Sequence, residues 1–390
     1  MSQIPPPPPG ASEPSGPSVT PQSHRFPCES CGANMRFDPA AGQLVCSHCG
    51  NSEEISDRAA GPWANTQAIK ELDFRQALAQ QLPQADLEET QVLSCPNCGA
   101  QVEFDPAVHA SECPFCATPV VTSTGTDRHI KPRGLLPFAL DEDTARQELT
   151  AWLGRLWFAP SGLAKLARKG RRMDGVYVPY WTFDAQTQSQ YRGQRGTVYY
   201  EHRRRGDKTE MVQKIRWTPV GGRVARFFDD VLVLGARSLP KGFTEALPPW
   251  DLSRLEPYAP EYIAGLRAEA YTIELDEAFH EARAYMDRVI ERDVRFDIGG
   301  DRQRVNDIQT QISGVTFKHI LLPIWVAAYK YQGQSYRVVI NGQSGRIQGE
   351  RPYSAWKIAL AVAAGLAIAA GLGYFYAVNQ GLVSAPLKKF

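Results

Sequence analysis

The residues most able to do chemistry are the eight cysteines. They fall into two sets, Cys28, Cys31, Cys46, Cys49 and Cys95, Cys98, Cys113, Cys116, and both sets read C-x2-C-x14-C-x2-C. Each C-x-x-C turn aims two thiolates at one point, and the residues between suit a short hairpin that returns the second pair to complete a tetrahedron. Four thiolates fill the shell and leave no open position for substrate or water. The expected metal is therefore structural, and segments this small have too little core to fold without it. Zinc is the expected ion, two per chain. Rubredoxin-type iron is the competing metal, and disulfides rank last because no export signal places the cysteines in an oxidising compartment. His48 lies between Cys46 and Cys49 and reads as an exposed residue beside a shell that is already complete.

Other chemistry is sparse. No G-x-x-x-x-G-K-[ST] loop is present to cradle a nucleotide phosphate. His280-Glu281 lacks the second histidine of a zincin helix, and Gly342-Gln-Ser-Gly is one residue short of a nucleophile elbow. Asp229-Asp230 are neighbours on an expected strand, where successive side chains point to opposite faces, so they read as poor joint ligands. No helicase, ATPase, protease or hydrolase motif is found, and the expectation is a protein without catalytic residues.

The elements that must position the cysteines begin with a duplication. Gly32, Ala33 and Phe37-Asp38-Pro39-Ala40 recur as Gly99, Ala100 and Phe104-Asp105-Pro106-Ala107, the same offset that separates the cysteine sets. The chain thus divides into a Pro-rich disordered arm (1–24), a first ribbon (25–51), a helical linker (52–91) whose helix is expected over 66–82, and a second ribbon (92–121). An α+β domain follows over 129–354. In it, 141–158 and 276–292 have the periodicity of amphipathic helices, and strands are expected at 176–183, 197–200, 211–218, 231–234, 294–298, 320–331 and 336–340. Gly206-Asp207 and Asn341-Gly342 suit hairpin turns. Tyr177-Val-Pro-Tyr-Trp resembles Leu321-Leu-Pro-Ile-Trp, each followed by a Tyr-Arg pair (Tyr191-Arg192, Tyr336-Arg337), which suggests two related β units. Pro179 and Pro323 lack an N–H and are expected on edge strands or at bulges.

Ile358 to Val378 carries no charge, and as a helix its length matches a bilayer core of about 30 Å. Tyr353 and Trp356 at one end and Tyr374 to Tyr376 at the other suit the headgroup level. A short tail, 379–390, follows. No secretory signal precedes the ribbons, and Arg346, Arg351 and Lys357 outnumber Lys388 and Lys389. Both features predict a single pass through a bacterial inner membrane with the N-terminal bulk in the cytoplasm. Ala361, Gly365, Ala369 and Gly373 form a small-residue ridge suited to self-association.

A net charge of +1 excludes a generally cationic coat, yet residues 163–216 hold thirteen Lys or Arg against five Asp or Glu, a local excess of +8. Lys165, Arg168, Lys169, Arg171, Arg172 and Arg203 to Arg205 make that window the place for anionic lipid or nucleic acid. The second ribbon has no Lys or Arg between Cys95 and Cys116 and is not expected to bind phosphate.

The paired C-x2-C motifs with Phe37-Asp38-Pro39, the segment Leu321-Leu-Pro-Ile-Trp, and Asn341-Gly-Gln-Ser-Gly-Arg before Pro352-Tyr-Ser and the apolar run together resemble a group of bacterial membrane-anchored double zinc-ribbon proteins. Members are labelled primosomal protein N-prime or superfamily II helicase-like, or transcription-factor-IIB-type zinc-ribbon proteins, and some similar proteins are associated with phage-shock and flotillin-like envelope-stress systems. The resemblance implies a membrane-tethered adaptor for cytosolic or membrane proteins. The alternative is a membrane-localised nucleic-acid-binding protein linked to replication or transcription. Helicase activity is not expected, because the motor motifs are missing.

Overall fold

The computed structural model describes residues 26–55, 69–103, 110–116, 118–121, 125–160, 173–205, 208–331 and 334–379. The Pro-rich arm, 104–107, the cations at 165–172, the Gly206-Asp207 turn and the tail beyond Asn379 lie outside them.

In the first ribbon, β1 (Met35–Asp38), β2 (Gln43–Cys46) and β3 (Ser52–Glu53) form a small antiparallel sheet. The linker holds β4 (Leu72–Asp73) and α1 (Phe74–Leu78). The second ribbon lies among β5 (Leu87–Ser94), β6 (Gln101–Glu103), β7 (Ala110–Glu112), β8 (Pro119–Val121) and β9 (Gly125–Ile130). The body follows as β10 (Gly134–Leu135), α2 (Glu142–Arg155), β11 (Asp174–Arg205), β12 (Lys208–Leu234), α3 (Lys241–Thr244), β13 (Glu256–Pro257), β14 (Arg267–Ala268), α4 (Leu275–Ile298), β15 (Arg302–Tyr331), β16 (Gln334–Asn341) and β17 (Ile347–Gly349). The chain then leaves through α5 (Ala355–Asn379). This is the expected α+β architecture. A nine-stranded sheet is built on the order β12-β11-β15-β10-β13, with β14 beside β11, β4 and β16 beside β15, and β17 beside β16.

Several elements differ from the sequence reading. Among the described residues of the linker the helix covers Phe74–Leu78, because Leu72 is drawn into the sheet opposite Phe317 and the Asp73 side chain caps the helix by accepting from the Gln76 N–H; the start of the expected helix, 66–68, lies outside the described residues. The strand expected at 294–298 is the last turn of α4: Met286, Ile290, Val294 and Ile298 continue one buried stripe, and tertiary packing overrides β-branched propensity. The strands at 176–183 and 197–200 are one continuous strand, as are those at 211–218 and 231–234.

The proline expectation is also overturned, for a reason that exposes the plan of the body. Both prolines lie in interior strands. Val178 pairs with Leu322, Tyr177 with Pro323 and Pro179 with Leu321, so the two similar motifs meet antiparallel about a twofold axis that passes between the equivalent residues Val178 and Leu322. Each proline turns its nitrogen outward, where the outer strand has just ended: Gly235 N–H donates to Pro179 O at 2.8 Å and Gly342 N–H to Pro323 O at 2.9 Å. The missing N–H therefore costs no ladder bond. The same twofold relation places β14 parallel to β11 and β10 parallel to β15. It pairs the bond from Glu269 N–H to Tyr177 O with that from Leu136 N–H to Leu321 O. It also relates Trp181 Nε1, donating to Ile273 O at 2.9 Å, to Trp325 Nε1, donating to Leu140 O at 3.0 Å. Each unit is thus a short strand, a helix, a long strand and a return strand, and the short strand of each unit pairs with the long strand of the other. The Tyr-Arg pairs are not equivalent, since Tyr191 lies mid-strand in β11 and Tyr336 lies on the return strand β16.

The first unit has an extension that the second lacks. β11 and β12 run on together beyond the end of β15 at the Gly196–Arg302 pair, as an antiparallel ribbon from 197 to 205 against 208 to 216. At roughly 3.3 Å per residue it reaches about 30 Å past the three-stranded part. Register puts Val198, Tyr200, Met211 and Ile215 on one face together with His202, Arg204, Thr209 and Gln213, with Tyr200 and Met211 strongly exposed. The other face is charged: Lys214 is ion-paired with Glu201 and Arg203 lies opposite Glu210, and the two strands together carry six Lys or Arg against two Glu.

Candidate metal centres and their setting

Local backbone builds each cysteine knuckle. Gly32 N–H donates to Cys28 O at 2.8 Å, Gly50 N–H to Cys46 O at 2.9 Å and Gly99 N–H to Cys95 O at 2.9 Å. The three glycines have φ of 73°, 75° and 72°, a left-handed conformation that glycine adopts without the Cβ penalty. All eight cysteines are free thiols. In the first set the Sγ atoms of Cys28 and Cys49 are 3.6 Å apart and those of Cys31 and Cys46 3.5 Å apart; in the second, Cys95–Cys116 is 3.5 Å and Cys98–Cys113 is 3.6 Å. Every Sγ of a set lies within 4.8 Å of the others. Tetrahedral zinc–thiolate bonds of about 2.3 Å call for sulfur separations of about 3.8 Å, so both sets fit a structural zinc ion.

Within each set the thiols divide: Cys28, Cys46 and Cys98 are lowered, while their sulfur neighbours raise Cys49 and Cys113. Burial raises the Cys28 thiol, but the N–H groups of Ser30 and Cys31 outweigh it and hold the group at about 6. Cys98 is lowered to about 5 by its hydrogen bond with Cys113 and, against burial, by the Ala100 N–H. The two ribbons are not separate beads. Cys28, Met35, Phe37, Leu44 and Cys46 share a core with Tyr177, Leu321 and Trp325 on one face of the large sheet. Cys95, Ala100, Val102, Cys113 and Phe115 share a core with Val176, Val178, Leu322 and Ile324 on the opposite face. The first ribbon is fixed by the Phe37 N–H to Ala264 O bond of 2.9 Å, and the second by the Ala270 N–H to Gln101 O bond of 2.9 Å and the Arg267 Nη1 to Glu112 O bond of 3.1 Å. What sequence leaves open, how the ribbons are placed, is thus settled by the body between them.

A second polar cluster departs from strand alternation. A bulge sets Asp184 against Asp229 and Asp230, and Asp230 has a φ of 48°, so strand alternation is broken and the three carboxylates converge. Lys318 already provides their cation: its Nζ is 2.8 Å from Asp230, 3.1 Å from Glu71 and 3.7 Å from Asp184. Burial and the neighbouring Glu71 raise the Asp184 carboxyl to about 7, whereas Glu71, despite burial, is lowered to about 2 by Asp184, Thr316 and Lys318. The group is a buried ion-pair network that holds the linker on the sheet. Its signal was Lys318-His319 inside an otherwise apolar strand, where alternation must bury at least one of them.

His48 lies exposed beside the first cysteine set, and His280 is exposed on α4. Among the described residues, α5 is the one helix long and apolar enough to cross a membrane: Ala355–Ala377 has a mean hydropathy of 2.1 and is 0% buried against the body.

Residues 22–54 match the family described as the zinc-finger of RNA-polymerase I-specific TFIIB, Rrn7. The chain is 25% identical over 340 residues to the uncharacterized protein YdjG of Bacillus subtilis strain 168, covering 86% of this chain and 92% of that protein. No solved structure matches.

Proposed function

We propose that the protein is a non-enzymatic adaptor tethered to the bacterial inner membrane by α5, with its N-terminal bulk in the cytoplasm. The observation that carries this reading is the ribbon of β11 and β12 beyond residue 196. It stands clear of the core and exposes Tyr200 and Met211 on a face shared with His202 and Gln213, and exposed large apolar side chains of this kind suit a protein partner. The metal centres support it by their closed shells, which stiffen the body rather than offer a reactive position. The orientation is supported by the cations Arg346, Arg351 and Lys357 before the helix and by the need of thiolate ligands for a reducing compartment. An envelope-stress setting and self-association through the Ala361, Gly365, Ala369 and Gly373 ridge extend the same reading.

The second reading, a membrane-localised nucleic-acid-binding protein linked to replication or transcription, draws on the likeness of residues 22–54 to a transcription-factor zinc finger and on the cations of the 163–216 window. The exposed Tyr200 and Met211 of the ribbon favour the adaptor over it. Capture from membranes in mild detergent separates the two, using full-length protein and a Tyr200→Ser, Met211→Ser variant. Loss of defined protein partners in the variant supports the adaptor. Recovery mainly of nucleic acid, released by salt, refutes it, because phosphate contacts weaken steeply with ionic strength.

A further inference from the structure

The loop that follows α2, Leu156 to Pro160, presents two aromatic side chains to the outside. Trp157 is 63% and Phe158 39% exposed, with ring centroids 5.1 Å apart. A paired Trp and Phe at the end of an otherwise well-packed helix leave a large apolar surface in water. The loop does not hang free, because two hydrogen bonds fasten it to the foot of α5: Ser354 N–H donates to Phe158 O at 2.8 Å, and Lys357 Nζ donates to Ala159 O at 2.8 Å. Tyr353 and Trp356, themselves 59% and 72% exposed, stand on that foot. Two chain segments 198 residues apart therefore bring four exposed aromatic rings to the level where the apolar helix begins. Arg155 and Arg351 are exposed at the same end of the body, and Arg351 lines an open cavity of about 610 Å³ with Trp152, Tyr336 and Tyr353.

Amphipathic rings with cations beside them are what the headgroup region of a bilayer accepts: the rings enter the acyl boundary and the cations meet lipid phosphates. We infer that the Trp157-Phe158 loop is a second membrane contact, inserted in the interface of the leaflet that α5 enters, and that its partner is the anionic lipid surface. The inference rests on the reading of α5 as a membrane span. Its consequence is orientation. A helix alone is a swivel, whereas a helix and a loop fastened to each other fix the face that the sheet and its projecting ribbon turn toward the cytoplasm.

The test uses the full chain in phosphatidylglycerol-containing nanodiscs whose acyl chains are brominated near the headgroup end, with tryptophan emission compared between wild type, Trp157→Phe and Trp356→Phe. The expected result is a bromine-quenched component that each substitution reduces. If Trp356→Phe reduces it and Trp157→Phe does not, the span stands and the loop contact is overturned. If neither substitution reduces it, the spanning reading fails and the loop contact fails with it.

Discussion

Replacing Phe37 by alanine tests whether the first metal centre depends on the body. Phe37 is 6% exposed and meets Tyr262 edge-on, with ring centroids 5.2 Å apart, in a core that includes Ile263 and Ala264. It is not one of the ligands, and its backbone bond to Ala264 survives the substitution. Truncating a buried Phe costs about 3–5 kcal/mol, of which roughly 0.5–1.5 belongs to the aromatic pair. If about 3 kcal/mol of this holds the ribbon on the sheet, the population with the ribbon undocked rises about 100-fold, at about 1.4 kcal/mol per decade. Zinc should leave from that open state, since metal binding and ribbon folding are one equilibrium. In detergent-solubilised full-length protein challenged with a chromogenic chelator, one of two ions should be released about 100-fold faster in Phe37→Ala, with the other unchanged and Phe37→Leu intermediate. Equal release from wild type and a folded Phe37→Ala protein would refute the reasoning, for the ribbon would then hold its metal without help from the body.

Metal analysis should find two zinc ions per chain, and full chelation should collapse the near-ultraviolet circular dichroism of the body, because both ribbons complete its cores. Lys318→Met leaves the carboxylates of Glu71, Asp184 and Asp230 without their cation and should destabilise by about 3–5 kcal/mol in denaturant titration. Burial holds His319 at about 4, below its ordinary 6.5, so the unfolded chain takes up a proton that the native state refuses. Stability is then lost as pH falls from about 6.5 to 4, by about 3 kcal/mol in full, and the difference between wild type and His319→Gln isolates this slope from the opposite one of Asp184. A Cβ at Gly342 would stand 2.7 Å from Phe138 Cδ1 and 2.9 Å from Pro323 O, so Gly342→Ala should lower stability by about 1–3 kcal/mol, whereas Gly365→Ala, with nothing within 4 Å, should leave it unchanged.

The metal ligands were legible because their signal is local. Eight cysteines at two repeats of one spacing need no tertiary information, and α5 is equally local, a run of apolar residues read by length. The errors arose where a long-range partner decides. Leu72 has helical neighbours in sequence, yet Phe317, far along the chain, recruits it to the sheet. Val294 and Ile298 are β-branched, yet Val294 is spaced four residues from Ile290 and Ile298 from Val294 on a buried stripe. Strand alternation argued Asp229 and Asp230 apart, and only the bulge opposite Asp184 brings them together. The ion pair from Lys318 to Glu71 spans two chain segments that no periodicity connects.

The proline motifs show how a feature read as a defect can mark an axis. Proline in an interior strand is acceptable only where its nitrogen faces no acceptor, and here each faces the residue at which an outer strand turns away, Gly235 or Gly342. Both glycines are themselves required by the closeness of the approach, since a Cβ would sit 3.0 Å from Pro179 O at the first and 2.9 Å from Pro323 O at the second. Proline, glycine and the indole that donates across to the preceding loop therefore form one linked set, present twice. Each unit's sheet is extended by the short strand of its twin, because β10 pairs with β15 and β14 with β11. The two units differ at their hairpin ends. The second keeps a short hairpin close to the tether, while the first extends beyond the sheet to display Tyr200 and Met211. The pairing at the axis is thus what allows one end of the molecule to be a rigid base and the other a reaching surface.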